Sequence, residues 1–187
     1  EALGVSTASG LAIGYKALKS NTTGSNNLAI GSSTLCVNTT GVSNVAIGTT
    51  AMQFNTTGSE NTAVGYRAGL CNTTGTYITA IGHDANRNNT TGTSNTSLGN
   101  DALKENTSGS NNTAVGKDAL CLNTTGTQNT AIGRITLSYN TTGCCNVAIG
   151  NGASRLGTTS SFNVAVGFNA LNANTSNCNT AIGFSSL

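Results

Sequence analysis

Proline and tryptophan are absent from the chain, and histidine occurs once. Without proline, bends must come from glycine, asparagine and other small polar residues. Charge is scarce as well, at 7% of residues with a net +2. That leaves no basic stripe of the kind nucleic-acid binding requires. No long apolar run is present, so no segment is expected to span a membrane. One His and scattered Lys and Arg supply no clustered acids and bases, so no catalytic residue and no cofactor is expected. Little charge with much Gly, Asn, Ser and Thr is also a composition of disordered chains, but the strict placement of Ala, Ile and Leu argues against disorder. The chain begins at Glu1 with no signal peptide, and is expected to be either processed or a piece of a longer one.

What is present is a repeat. Ala-Ile-Gly or a close variant begins at Ala12, Ala29, Ala46, Ala63, Ala80, Ser97, Ala114, Ala131, Ala148 and Ala165, every 17 residues, and once more at Ala181, one residue early. Counting that Ala as position 1, the repeat reads Ala, Ile/Val, Gly, two variable residues, Ala, Leu, two variable residues, Asn, Thr, Thr, Gly, two variable residues, Asn, then Thr/Val/Leu. Gly holds position 3 from Gly14 to Gly183, and Thr holds position 11 from Thr22 to Thr175. Asn fills position 10 except at Gly157, and position 16 except at Ile78. A short fixed period means one structural unit copied along an axis, each copy resting on its neighbours. The fold predicted is an all-β parallel solenoid of about eleven coils in a single domain over 1–187, with a partial first coil over 1–11, ten regular coils over 12–180 and a partial last coil over 181–187.

Segments such as Asn44 to Gly48 are short β-rich runs bounded by turn formers, which is how a buried strand reads. Ala-Leu at positions 6 and 7, as in Ala17-Leu18, predicts a second, opposing strand. Gly at positions 3 and 13 supplies positive φ or close backbone approach. Asn stacked on successive coils is expected to form amide ladders. At about 4.8 Å per coil the rod is roughly 50 Å long. Ile at position 2 and Thr/Val at position 17 share one strand face while Ala at position 1 has the other. Both faces are apolar and a narrow coil has one inside, so a second chain is expected to cover the outer one. The ends, Glu1-Ala2-Leu3 and Ser186-Leu187, carry no polar cap, which suggests end-to-end stacking or a cut from a longer rod.

Among the candidate sites, Asp84, Asp101 and Asp118 share position 5 on consecutive coils. They form a weak metal candidate for Ca²⁺, set against a solvated face with Arg67 and Lys117 nearby; no metal is the main expectation. The six cysteines are read as free thiols, with Cys121 paired to Cys144 or Cys145 as the disulfide alternative. Phe168 and Phe184 are candidates for a subunit contact or for local packing. Twelve Asn-x-Ser/Thr sequons occur, at Asn21, Asn38, Asn55, Asn72, Asn88, Asn89, Asn95, Asn106, Asn111, Asn123, Asn140 and Asn174. Those in the long turn follow from turn chemistry, yet with a glycosylation pathway they predict a column of glycans along one edge.

The strings Asn44-Val45-Ala46-Ile47-Gly48, Asn146-Val147-Ala148-Ile149-Gly150 and Asn163-Val164-Ala165-Val166-Gly167 resemble the head repeat of trimeric autotransporter adhesins. Similar repeats occur in phage tail fibres and other surface fibres. The resemblance covers nearly the whole chain and implies a left-handed parallel β-roll, three chains side by side, and an extracellular role in binding surfaces or matrix. The period departs from the family pattern, being longer through the Asn-Thr-Thr-Gly turn. The function expected is an extracellular, cell-surface or virion-surface rod that associates with itself as a homotrimer or an end-to-end filament. The alternative is an adhesin or receptor-binding head whose variable positions 4, 5, 8, 9, 14 and 15 meet a host-surface, matrix or glycan ligand. Neither nucleic acid nor membrane insertion is expected, and the chain is not expected to be an enzyme.

Overall fold

The computed structural model describes residues 9–187, and every regular element among them is a short strand. These are β1 (Gly10–Ile13), β2 (Asn27–Ile30), β3 (Val45–Ile47), β4 (Thr62–Val64), β5 (Thr79–Ile81), β6 (Thr96–Leu98), β7 (Thr113–Val115), β8 (Thr130–Ile132), β9 (Val147–Ile149), β10 (Val164–Val166) and β11 (Thr180–Ile182). They form one parallel eleven-stranded sheet in sequence order. Register never slips: Ala12 faces Ala29, Ala29 faces Ala46, and so on to Ala165 facing Ala181. The chain is therefore an all-β parallel solenoid with one strand per coil. The reading of Glu1-Ala2-Leu3 lies outside the described residues.

The shorter last repeat keeps this register by losing its position-13 residue. Cys178 takes the left-handed backbone (φ 59°) that Asn26 (φ 58°) and Cys145 (φ 58°) adopt at position 15. The deletion is absorbed in the turn, where Asn177 Oδ1 accepts from the Ser161 N–H at 2.8 Å.

The second strand expected at positions 6 and 7 does not form. Positions 3 to 10 fold into overlapping β-turns, closed in the first coil by Ala17 N–H to Gly14 O, Lys19 N–H to Lys16 O and Asn21 N–H to Leu18 O. Lys16 and Leu18 sit in the left-handed region at φ 58° and 49°, and most later coils repeat this. For a residue with a Cβ this costs roughly 1 kcal/mol. The stacking offsets it: the Leu18 N–H, set free by that backbone, donates to Thr34 O of the next coil, as Leu103 does to Ala119 O. The same geometry turns the leucine inward.

Most coils thus bury Ala at position 1, Ala at position 6 and Leu at position 7, as with Ala102, Leu103 and Ala114. Thr34 and Thr136 replace Ala at position 6 and stay buried because each hydroxyl donates to the carbonyl of a neighbouring-coil glycine, Gly48 at 2.7 Å and Gly150 at 2.6 Å. The apolar core divides into a cluster ending at Ala85 and another starting at Ala102. Between them lies Asn86, fully buried in the leucine column, with neither amide atom hydrogen-bonded.

The asparagine columns are interior, as ladders require. From Asn38 to Asn140 each position-10 Nδ2 donates to the Oδ1 one coil back, at 2.8 Å in every step. The same nitrogen donates to its own coil's glycine, as Asn55 does to Gly58 O at 2.9 Å. Gly157 ends this column and leaves Asn140 Oδ1 without a partner. At position 16 the Asn44 N–H donates to Asn27 Oδ1 and its Nδ2 to Gly58 O of the next coil. Ile78 breaks that column, although its N–H still donates to Asn61 Oδ1. Position-13 glycines make room for the ladder: a Cβ on Gly75 would lie 2.5 Å from Gly92 O. Position-3 glycines also need positive φ.

Two substitutions separate these terms. Gly116→Ala places a Cβ 2.6 Å from Gly133 O at φ 127°, and is expected to cost about 3 kcal/mol or more in urea unfolding. Asn86→Leu replaces an unpaired buried amide in a backbone conformation that leucine already adopts at this position. It is expected to raise stability by about 1–3 kcal/mol in the same assay.

Candidate functional site on the turn face

Chemical variety collects where the repeat is loose, at positions 4, 5, 8 and 9. Because the register is exact to the residue, each position becomes a column with its members one strand spacing apart. Most of the charge lies between Glu60 and Asp118. At position 5 the column runs Arg67, Asp84, Asp101, Asp118, Ile135.

Arg67 heads the acidic row and changes its character. Its Nη2 donates to Asp84 Oδ2 at 2.7 Å, and its Nε lies 2.7 Å from Oδ1, off the line of a hydrogen bond. Arg87 Nη1 stands 3.8 Å from the same carboxylate, whose side chain is only 3% exposed. Asp84 is therefore a buried, paired carboxylate, which corrects the solvated-face expectation. Tyr66 flanks the pair, with the Arg67 guanidinium 4.7 Å from its ring centroid and the His83 ring at 5.3 Å. Lys104 Nζ approaches Asp101 at 3.5 Å, Lys117 Nζ donates to Asp118 at 3.0 Å, and Asn88 Nδ2 donates to Glu105 at 2.5 Å.

The metal candidate is accordingly rearranged. Ligand atoms of His83, Asp84 and Asp101 lie within 4.8 Å of one another, and Asp118 is outside that group. His83 joins the group through Asp84, its neighbour in the chain, and Asp101 one coil on. Two guanidinium groups already hold the Asp84 charge, so a cation here would have to displace them.

Further along the same face a groove of about 290 Å³ opens over Asp118, Cys121, Leu122, Ser138, Tyr139 and Arg155. Cys121, Ser138 and Arg155 share position 8 on successive coils, and Leu122 and Tyr139 share position 9. Residues 17 apart in the sequence are thus the signal that brings this groove together. The Arg155 guanidinium lies 5.6 Å from the Tyr139 ring centroid. Burial, and then the nearby Asp118 charge, push the Cys121 thiol up to about 11. Cys121 is thus a neutral wall, not a nucleophile.

The remaining site expectations meet the geometry as follows. All six cysteines are free, and the pairing of Cys121 with Cys144 or Cys145 is not formed. Cys121 lines the groove, while Cys145 contacts Gln128 at position 15 in another column. The glycan column is overturned for Asn21, Asn38, Asn55, Asn72, Asn89, Asn106, Asn123 and Asn140, which are buried in the position-10 ladder. From Asn38 onward both amide hydrogens of each are already donated there. Asn174 is partly buried and its Nδ2 donates to Ser176 O at 2.8 Å. Phe168 and Phe184 stack on each other at 5.3 Å, nearly parallel, with Phe184 79% exposed.

No helix among the described residues is long and apolar enough to cross a membrane. Comparison with family models, with curated proteins and with solved structures finds no match to this chain.

Thiol labelling tests the groove's electrostatics. At pH 8 exposed Cys178 is expected to react quickly with a maleimide while Cys121 lags. The Cys121 rate is expected to climb with pH through about 11, because only the thiolate reacts. Equal rates at pH 8 would contradict the burial argument.

Proposed function

We propose that the chain is a subunit of an extracellular, cell-surface or virion-surface fibre, a stiff rod that associates with copies of itself along the outer face of its sheet. The observation behind this reading is the composition of that face. Position 2 presents Ile13, Ile30, Ile47, Val64, Ile81, Leu98, Val115, Ile132, Ile149, Val166 and Ile182, and position 17 adds Thr, Val or Leu, with no charged side chain in either column. These side chains point away from the core and are partly to largely exposed, Ile132 at 39% and Ile182 at 71%. Two columns over ten strand spacings cover about 600–700 Å², close to the roughly 800 Å² each partner contributes to a standard interface. Monomers seldom leave a contiguous apolar patch of that size open. A second copy matches it step for step, since its own face repeats at the same spacing. The role then follows from length, stiffness and display, with no catalysis assigned.

The resemblance to trimeric adhesin heads supports three chains side by side, and the adhesin reading differs from the fibre in outcome. Negative-stain imaging and sedimentation of the purified chain are expected to find lateral assemblies or filaments. Discrete trimers with saturable ligand binding would favour the head instead. The double variant Ile81→Lys/Ile132→Lys changes only outward side chains, so it is expected to keep its β circular dichroism and lose side-by-side association. A wild-type chain that stays monomeric throughout the micromolar range would defeat the proposal.

A further inference from the structure

The groove at positions 5, 8 and 9 is separate from the strand face that self-association uses, and two of its polar groups, Ser138 Oγ and Arg155 Nε, have no hydrogen-bond partner within the fold. Ser138 is 6% exposed, and its Oγ has no hydrogen-bond partner. Leaving a buried hydroxyl unpaired costs about 1–3 kcal/mol, so a partner from outside is favoured. Arg155 contributes the second: its Nε is buried without a hydrogen bond, and no carboxylate among the described residues lies within ion-pair distance of it. Its planar fork matches a carboxylate edge-on. At the opposite side Asp118 Oδ2 already accepts from Lys117 Nζ at 3.0 Å. A neutralised carboxylate of this kind suits a hydroxyl donor better than a second cation. Leu122 and Tyr139, both exposed, and the neutral Cys121 thiol supply apolar wall.

The ligand must therefore carry one negative charge for Arg155, several hydroxyls for Ser138 and Asp118, and a C–H face for Leu122 and Tyr139. Its size is bounded too, because 290 Å³ is at the lower end of small-molecule sites, which begin at about 300 Å³. A phosphate ester asks for more than one cation, and a neutral lipid has no use for Asp118. We propose that this groove binds a single carboxylated pyranose, a hexuronic acid unit of an acidic glycan, with its carboxylate on Arg155 and its hydroxyls on Ser138 Oγ and Asp118. A rod built this way holds an acidic polysaccharide along its turn face while its sheet face holds other copies. The site does not depend on the fibre reading.

Saturation-transfer NMR tolerates assemblies of any size and tests this on the intact chain, with tri-galacturonate as probe and maltotriose as the neutral control. An open groove with one ion pair is expected to give a Kd on the order of 1 mM. Maltotriose is expected to bind at least about tenfold more weakly, equivalent to about 1.4 kcal/mol. Arg155→Gln is expected to abolish the preference for the acidic sugar, and Ser138→Ala to weaken tri-galacturonate several-fold. Lys19→Gln, a cation elsewhere, is expected to change nothing. Circular dichroism of each variant separates loss of binding from loss of fold, and Arg155→Lys, which keeps charge without the fork, gives a second reading if Arg155→Gln unfolds. No saturation transfer at 10-fold the expected Kd, equal signals from both sugars, or an Arg155→Gln chain that binds like the parent would each overturn the proposal. Imaging of the same preparations reports assembly independently, so loss of the sugar site and loss of the fibre reading are told apart.

Discussion

Everything in this fold depends on identical coils lying one strand spacing apart with no slip in register. The strands are three or four residues long, far too short to hold a sheet by themselves. What holds them is that hydrogen bonds between coils continue around the circuit, through the turn run as well as the strand. Leu18 N–H to Thr34 O and Thr39 N–H to Thr56 O are as much a part of the ladder as the β2–β3 pairs. A one-residue slip would lose the turn bonds and the amide columns together. This explains why the shortened last repeat gives up a turn residue and keeps its strand aligned.

The polar interior follows from the same stacking. Buried amides are costly when unpaired, yet two columns of Asn run through the rod because each coil supplies what the last one needs. The interruptions are informative. Gly157 leaves Asn140 Oδ1 unpaired, and Asn86 among the leucines leaves both of its amide atoms unpaired. These are losses in a pattern that tolerates a few. The charged network around Asp84 lies on the outside of the same coils where the apolar core is interrupted.

Strict repetition also accounts for the division of labour over the surface. Columns that must be uniform for stacking present an uncharged sheet face of Ile, Val, Leu and Thr, the face on which the proposed self-association rests. Columns that stacking leaves free collect charged and aromatic residues, and it is there that Asp118, Ser138 and Arg155 converge on a groove. Distance in sequence means little in such a fold. Residues 17 apart are neighbours, so a site is read across the repeat and not along the chain.

Period, strand position, the placing of Ala and Ile on opposite strand faces, and the stacking of Asn and Gly in columns were all determined by the sequence alone, because each follows from a local preference repeated often enough to be unmistakable. Three things were decided only by the tertiary structure. Ala-Leu reads as strand, yet it is a turn with leucine in the left-handed region, since bonds to the adjacent coil repay a strain that local propensity counts as prohibitive. The sequons at Asn38 and Asn55 read as surface turns, yet their amides are committed to a buried ladder. Asp84 reads as a solvated acid with Arg67 nearby, yet on the outer face Arg67 one coil back pairs with it and closes it off from solvent. In each case the deciding partner sits about one repeat away, and it was the stacking of the coils that brought it within reach.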